Sequence, residues 1–543
     1  MTAVRYTNER LDHLGIVAGV CRDIGIAPYL DALDEQYHDH VSVGSAVVAM
    51  ILNGLGFSNR RMYLTPQFFA NKPLEVLLGP GIRAEDLNDD CLGRALDWVA
   101  GHDPTALFAG IALQTRRHSG IAVQQLHGDT TSFAVSGEYA AEPGEIDAQA
   151  IAITYGYSRD HRADLKQWAL ALITTSDGDI PTWYQALDGN SSDKETIVAA
   201  HLACVQQMRD AEEEPGWAIA DSALYSEANL RQLNQAHVAW ITRVPETVRH
   251  AKAAVARTDQ VWHEGRSPGT WWWSQVLELP QGAERWVIVR TDEAEKRVRT
   301  TFTRQAKKRL AEWEQRIWHL SHERFACEAD ARQAAEDVLA DLPKWMATTQ
   351  EVLAHTTHTG RGRPKATAQT ATSWQVVLTV HMDESRQEAE IRQRACFILA
   401  TNQLETPADE VLMRYKAQGS VERGFRFLKD PLFLASSVFL KKPERIIALS
   451  MVMVLCLLVY RIAEWQLRSQ LAATGQTVPD QLNKPTQRPT MRWIFQCFEG
   501  IDLLQIQDPG GGNTLLVLRL TALHEQILTL LGSSYCEIYQ ITK

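Results

Sequence analysis

The sequence predicts a mixed α/β protein whose core is interrupted by a long insertion. Short apolar strands alternate with helical segments from about residue 120 to residue 243, which is typical of an α/β core. Residues before about 115 show helical patterns joined by Gly, Pro and Asn turns, and a tryptophan-rich, highly charged segment interrupts the alternation from about 245 to 400. The 543 residues therefore divide into predicted parts over 1–115, 116–245, 246–400, 401–470 and 471–543.

The first part of the core, 116–245, is predicted to contain strands, a hairpin and two helices. A short strand over Ile121–Leu126 leads towards Asp129, and a later hairpin has Asp177-Gly178 at its turn. The other elements are the hairpin arms Leu170–Thr174 and Thr182–Leu187, a helix over Ser192–Ala211, a strand over Trp217–Ala220, a helix over Ser226–Gln235 and a strand over His237–Arg243.

The insertion and the segments after it are predicted to be richer in helix. One long charged helix is expected from about 300 to 341, with strands near 374–381 and 395–401. Thr406-Pro407 marks the start of a helix that reaches Lys429. The apolar run Ile446–Tyr460 is shorter than the roughly 20 residues of a membrane span, so it predicts a buried helix. The remaining residues, 471–543, are expected to be mainly helical.

The bulk composition is that of an ordinary globular protein. A net charge of −11 does not by itself favour nucleic-acid binding, so basic residues would have to cluster locally for that function. The eight cysteines have no C-x-x-C spacing, which argues against a zinc ribbon or a redox dithiol. Scattered thiols and an N-terminus without an apolar signal core indicate a cytoplasmic protein that does not enter a membrane.

Three carboxylates on separate elements form the candidate catalytic site. Asp129 and Asp221 each follow a short apolar strand, and Glu422 lies on the helix predicted after Thr406. Three such acids can hold two divalent metal ions for an in-line phosphoryl displacement, and Mg²⁺ prefers oxygen ligands. A single Asp after a strand is more often a turn or cap residue, so the prediction depends on the combination of all three.

Tyr415, Glu422 and Lys429 recur every seven residues on the predicted helix. Seven residues make about two helical turns, with a drift of roughly 20° per step, so the three side chains are expected on one face. Basic residues surround this carboxylate, which suits a site where an acid holds a metal and cations hold phosphates. They are Lys416, Arg423, Arg426 and Lys429.

These motifs resemble those of bacterial insertion-sequence transposases of the DDE type, in the IS-four superfamily. The stretch HGDTTSF, which contains Asp129, resembles the first-acid motif, and AIADSALYSEANL, which contains Asp221, resembles the second. Tyr415, Glu422 and Lys429 match the family's Y-R-E-K signature except that Gln418 stands where the signature has Arg. Lys416, two residues before Gln418, is the candidate replacement for the missing Arg charge.

Further segments resemble a long-chain subgroup of the superfamily with a helical N-terminal domain. These segments are NGLGFSNRRMY, YGYSRDHRADLKQ, CFILATN and VFLKKPERI. The resemblance implies an RNase H-like catalytic core, a DNA-binding N-terminal domain over 1–115 and an insertion domain between the second and third acids. It also implies binding to terminal inverted repeats, cleavage at the element ends, joining of the 3′ ends to target DNA, a requirement for Mg²⁺ or Mn²⁺, and a homodimer or larger assembly on double-stranded DNA.

Several residues are candidate DNA contacts, each with an alternative. Arg159 and Arg162 are as well suited to structural salt bridges. Arg361 and Arg363 form the core of an AT-hook-like peptide that fits a narrow minor groove, or a basic loop that contacts phosphates without sequence preference. One of the insertion tryptophans is a candidate for stacking on a flipped base, although most are expected in the core. They are Trp262, Trp271, Trp272, Trp273 and Trp286.

Two other functions fit the same residues. One is a transposase-derived DNA-binding protein without activity, which the intact set of three acids argues against. The other is a metal-dependent nuclease that only hydrolyses DNA. Sequence does not separate hydrolysis from strand transfer, because the same pair of metal ions serves both reactions.

Overall fold

The computed structural model describes residues 4–34, 40–57, 64–135, 139, 151–158, 162–358, 370–430, 442–507 and 513–541. The chain divides into two compact units. Unit 1 comprises Met1–Thr242, Leu279–Gly282 and Met413–Lys543, and unit 2 comprises Arg243–Glu278 and Ala283–Leu412.

The helices and strands of the described residues are numbered in chain order. The helices are α1 (Leu14–Asp23), α2 (Ile26–Asp31), α3 (Val43–Leu55), α4 (Thr65–Phe69), α5 (Leu74–Leu77), α6 (Asp89–Gly101), α7 (Pro104–Ser119), α8 (Asp193–Asp210), α9 (Glu227–Gln235), α10 (Arg249–Ala256), α11 (Asp292–Ser321), α12 (Glu328–Leu339), α13 (Glu384–Arg394), α14 (Ala408–Lys416), α15 (Gly419–Leu428), α16 (Pro443–Thr474), α17 (Met491–Cys497), α18 (Ala522–Leu531) and α19 (Ser533–Ile538). The strands are β1 (Arg5–Arg10), β2 (Gln125–Val135), β3 (Lys166–Thr175), β4 (Pro181–Leu187), β5 (Trp217–Ala220), β6 (Trp240–Arg243), β7 (His263–Glu264), β8 (Thr270–Leu279), β9 (Gly282–Thr291), β10 (Met346–His358), β11 (Thr370–Met382), β12 (Cys396–Thr401), β13 (Val478–Pro479), β14 (Pro485–Thr486), β15 (Asp502–Gln507) and β16 (Asn513–Leu518).

The central sheet of unit 1 has the strand order β4-β3-β2-β5-β6. Strand β3 runs antiparallel to both β2 and β4, whereas β5 is parallel to β2 and β6 is parallel to β5. An antiparallel meander that continues into parallel strands is the mixed sheet of an RNase H-like core. The predicted fold class is therefore confirmed, and so are the predicted hairpin, the two helices and the strand that became β5.

Strand β2 is longer than the sequence predicted. The prediction ended the strand at Leu126, but the structure continues it to Val135. The added residues include the polar run Thr130-Thr131-Ser132, which is buried because β2 is an inner strand with β3 on one side and β5 on the other. Asp129 therefore lies in the middle of a central strand and not just after its end.

Helix α16 forms the centre of the helical part of unit 1. It contacts α1, α3, α6, α7 and α18, and it also packs on β4. Its most apolar window is long and hydrophobic enough to cross a membrane, but 94% of that window is buried inside the protein. The predicted buried helix is therefore confirmed, and a single hydrophobic core runs from Leu11 through α16 to Tyr539.

The two ends of the described chain meet in a small sheet that the sequence did not predict. Strand β1 pairs antiparallel with β15, and β15 pairs with β16. Close by, the phenol of Tyr539 donates a hydrogen bond of 2.5 Å to the carbonyl oxygen of Asp12. A Cβ on Gly15 would lie 2.6 Å from the Tyr539 ring, so this glycine is required for the close packing.

Unit 2 contains its own strands and cores. Strands β12, β9, β8 and β7 are neighbours in that order, and β10 pairs with β11 in a separate ribbon. The single helix predicted from 300 to 341 is wrong, because α11 and α12 are separated by a segment in which Phe325 bridges to Trp374. Most of the five insertion tryptophans were expected in the core, but only Trp273 and Trp286 are buried, whereas Trp262, Trp271 and Trp272 are half-buried.

Candidate active site

The register of β2 and β5 aligns the first two candidate acids. In this parallel pair Leu126 lies opposite Ala218 and His127 lies opposite Ile219. Continuing this register by two residues would place Asp129 opposite Asp221, the residue directly after β5. Neighbouring strands are about 4.8 Å apart, so the register brings the two residues next to each other where β5 ends.

The face of the sheet on which Asp129 lies follows from its partner in β3. Asp129 pairs with Leu172, and side chains of directly opposite residues share a face. A Cβ on Gly424 of α15 would lie 3.1 Å from Leu172 Cδ2, so this face is covered by α15. Gly128 is the next residue in the strand and lies on the other face, where a Cβ would meet His201 Nε2 at 2.6 Å.

Asp129 and Asp221 both have backbone partners. The Asp129 side chain accepts a hydrogen bond of 2.7 Å from the backbone N–H of Thr130. The exposed Asp221 side chain accepts one of 2.9 Å from Ala223, and the Asp221 carbonyl accepts one of 2.6 Å from the Thr242 hydroxyl. These contacts fix the turn that follows β5, so the second acid is held at the end of its strand.

Helix α15 carries the third acid across the same face of the sheet. Its buried residues Val421, Phe425 and Leu428 recur at helical spacing, and α15 contacts β2, β3 and α16. Ser420 makes a hydrogen bond of 3.0 Å with Thr174 of β3. Glu422 is exposed on this helix, so all three candidate acids belong to elements that meet at one face of the sheet.

The three acids do not form a closed ligand set. Within the described residues, no group of three or more His, Cys, Asp or Glu side chains is arranged to hold a metal ion. Their donors are all carboxylate oxygens, which is the ligand chemistry that suits Mg²⁺ and Mn²⁺. The donor set therefore fits such a metal by its chemistry.

The continuous helix predicted through Tyr415, Glu422 and Lys429 is wrong. Helix α14 ends at Lys416, and α15 begins at Gly419 after a turn in which the Gln418 N–H donates to the Tyr415 carbonyl. The heptad spacing therefore does not place these residues on one helical face. Glu422 and Lys429 still belong to one helix, because Lys429 caps the C-terminal end of α15. The Lys429 ammonium lies 5.7 Å from the centre of the Phe133 ring in β2.

The basic residues predicted around the site differ in their contacts. Arg423 makes two hydrogen bonds to Asp179, of 2.7 and 2.8 Å, and this pairing is the main reason that its pKa is raised. Arg162 is similarly paired with Asp164 at 2.8 Å, in agreement with its structural alternative. Lys416 and Arg426 are exposed. Arg159, Arg361 and Arg363 lie outside the described residues.

An ion-pair network that the sequence did not predict supports α15. Arg461 of α16 approaches Asp179 at 3.6 Å and binds Glu464 at 2.8 Å, and Glu464 also pairs with Arg468 at 2.9 Å. The Glu464 side chain further accepts a hydrogen bond of 3.1 Å from the N–H of Met491 in α17. The sequence offered one local sign of this network, the Asp177-Gly178 turn that places Asp179 just before the second hairpin arm.

Two buried histidines lie near Asp129: His127 is in the same strand, β2, and His201 of α8 packs against that strand at Gly128. Burial lowers the pKa of His201 to about 3 and that of His127 to about 4, so both are neutral near pH 7. Neither ring nitrogen of His201 has a hydrogen-bond partner within the described part of the protein. This region therefore resists protonation.

Comparison with known proteins agrees with this architecture. Residues 139–459 match the family described as Transposase DDE domain, and residues 6–113 match a domain of unknown function (DUF4277). The first match includes Asp221 and Glu422, and Asp129 precedes it by ten residues. No curated protein matches the chain.

Among solved structures, the chain is similar to a piggyBac transposase in a synaptic complex with hairpin DNA. The identity is 9%, the TM-score is 0.37, and the alignment covers 91% of this chain and 82% of that one. The family match alone spans more than half of the 543 residues. The chain therefore belongs to the transposase family defined by the DDE domain.

Proposed function

We propose that this transposase binds the terminal inverted repeats of an insertion sequence, cleaves DNA at the element ends and joins the 3′ ends to target DNA. The observation that supports this most directly is the parallel register that aligns Asp129 with Asp221, with Glu422 on the helix that covers the same face. This arrangement favours an active enzyme over a transposase remnant that only binds DNA.

Asp129, Asp221 and Glu422 are the residues that we assign to bind Mg²⁺, with Mn²⁺ as a substitute. When bound, a pair of these cations supplies charge neutralisation at the phosphate and lowers the pKa of the attacking hydroxyl. The first two carboxylates are fixed by strand register and by backbone hydrogen bonds, and Glu422 is held through the packing of α15.

Cations near Glu422 are assigned to position the DNA phosphate. Lys429 lies at the end of α15 over the strand that carries Asp129, and Arg426 is one turn after Glu422. Tyr415 and Lys416 precede the turn that separates α14 from α15 and are assigned to the same DNA backbone. Arg423 is assigned to hold α15 in place through Asp179 and not to contact DNA.

The partner is double-stranded DNA, at the element ends and at the target. Because two ends must be joined to one target, we assign a homodimer or larger assembly on the DNA, acting in the cytoplasm of a bacterial host. The helical region before β2 is the proposed DNA-binding domain.

The experiment is cleavage of a labelled duplex that carries the element's terminal repeat. Wild type is compared in Mg²⁺, in Mn²⁺ and in EDTA with Asp129→Asn, Asp221→Asn and Glu422→Gln, and Asp164→Asn on the surface is the matched control. We expect metal-dependent nicking at the repeat boundary that the three site variants lose and the control keeps. Binding of the duplex should be retained in all of them.

The other outcomes discriminate between the alternatives. Specific binding without cutting by wild type would favour the inactive DNA-binding protein. Metal-dependent cutting without regard to the repeat, and without joined products, would favour the nuclease. Cleavage that survives Asp129→Asn would remove that residue from the assigned site.

A further inference from the structure

A groove lined by charged residues lies beside the helix that carries Glu422. It has a volume of about 910 Å³ and is enclosed by α15, α16, the segment around α17 and the turn between β3 and β4. Six arginines line it, namely Arg423, Arg426, Arg461, Arg468, Arg488 and Arg492. Four acids also line it, namely Asp177, Asp179, Asp430 and Glu464. The lining therefore carries two more cations than anions, in a chain whose net charge is −11.

Three of the four acids are already paired with arginines of the same groove. Asp179 binds Arg423, with the closest contact at 2.7 Å. Asp430 binds Arg492 at 2.8 Å. Glu464 lies between the two arginines of α16 in the network described above. These acids are neutralised by their partners, so they contribute little repulsion towards an anion that enters the groove.

Two cations of the groove are left over from this pairing. Arg426 and Arg488 form no ion pair with any other residue that the structure describes, and both are exposed. Arg426 is four residues after Glu422, so the two side chains neighbour each other on the surface of α15. The free positive charge of the groove therefore begins next to the third candidate acid and continues to Arg488 beyond α16.

We propose that this groove binds the sugar–phosphate backbone of DNA adjacent to the bond at the Glu422 site, with Arg426 and Arg488 as the phosphate contacts. The proposal rests on the proposed function, because it takes Glu422 to mark the reacting bond. The paired arginines form the rigid wall of the groove. Charge contacts of this kind carry no base preference, so the groove serves any sequence next to the element end.

The salt dependence of DNA binding tests the two contacts. Each phosphate contact contributes about 0.9 to the slope of log K against log salt concentration for duplex DNA. Arg426→Gln and Arg488→Gln in the full-length protein should each lower the magnitude of the slope by about 1 and weaken binding about eightfold at 0.1 M salt. The matched control is Arg231→Gln on α9, a half-exposed arginine that pairs with Glu227.

The result that overturns the proposal is a slope in both variants equal to that of wild type and the Arg231→Gln control, with the variants folded by thermal melting. A second arm uses inorganic phosphate. If millimolar phosphate raises the melting temperature through Arg426 and Arg488 while the DNA slope stays unchanged, the groove is a small-anion site and the proposal also fails.

The proposed function and this groove fail in different ways. Glu422→Gln should abolish cleavage without changing the salt slope, whereas the arginine variants should change the slope on repeat and non-repeat duplexes alike. If wild type showed no preference for the repeat, the proposed function would fail while the reduced slopes would still support the groove.

Discussion

Replacing Asp179 with alanine should weaken the attachment of α15 to the core. The Asp179 side chain is 13% exposed and lies between Arg423, which is 51% exposed, and Arg461, which is 8% exposed. Breaking a fully buried ion pair costs roughly 3–5 kcal/mol, whereas an exposed pair is worth about 0–1 kcal/mol. Because Arg423 can be hydrated and Arg461 keeps Glu464 as a partner, we expect the free energy of unfolding to fall by about 2 kcal/mol.

The assay is thermal unfolding together with cleavage of the terminal-repeat duplex. In a unit of this size, about 2 kcal/mol corresponds to a fall in Tm of about 2–4 °C. Cleavage should fall at least about tenfold at a temperature where the variant remains folded, since a shift of Glu422 misplaces the site. Asp164→Ala is the matched control, because that carboxylate is 63% exposed and pairs with an exposed arginine. An Asp179→Ala variant with the Tm and activity of this control would refute the reasoning.

Three further predictions concern the packing around the site. Gly128→Ala should destabilise the protein by about 1–3 kcal/mol in urea unfolding, because its Cβ would lie 2.6 Å from His201. Adding His201→Ala should relieve that clash, and a coupling energy of zero in the double-mutant cycle would contradict the prediction. Gly424→Leu should lower cleavage, because the larger side chain would push α15 away from Leu172. Gly424→Ala should be nearly neutral, because the gain in helix propensity offsets the 3.1 Å contact of its Cβ with Leu172. Equal cleavage by the two variants would contradict this prediction. Burial lowers the pKa of His201 in the folded protein to about 3. The stability that the neutral ring contributes is therefore fully present above the unfolded-state pKa of about 6.5 and is lost as the pH falls towards 3. Between pH 7 and pH 5, the free energy of unfolding should therefore fall by about 2 kcal/mol less in His201→Leu than in wild type, as measured by denaturant titration. The control His102→Leu, at an exposed position, should show the same fall as wild type.

Sequence patterns predicted the elements whose signals are local. Apolar strands and amphipathic helices predicted β4, β5, α8 and α9 close to their observed bounds, and the motifs predicted three candidate acids. The extent of β2 was missed because Thr130-Thr131-Ser132 is polar, and only its place between β3 and β5 makes burial favourable. Local propensity does not encode that tertiary setting.

Other features depend on contacts between distant parts of the chain. Arg423 and Asp179 are 244 residues apart, so periodicity within α15 gave no sign that this arginine has an internal partner. The break between α14 and α15 had one local cue, Gly419, which is also compatible with a continuous helix. The pairing of β1 with β15 joins residues such as Arg5 and Gln507, and nothing in either segment alone indicates it.

The meeting of β1 with β15, and of Gly15 with Tyr539, affects how the protein is made. The Gly15 and Gly19 face of α1 is covered only after α19 has been synthesised, because the Tyr535 and Tyr539 rings fill the space over Gly19 and Gly15. A prematurely terminated chain would leave that apolar surface exposed to chaperones and proteases. The packing of the helical region before β2 is therefore completed only in molecules translated through α19.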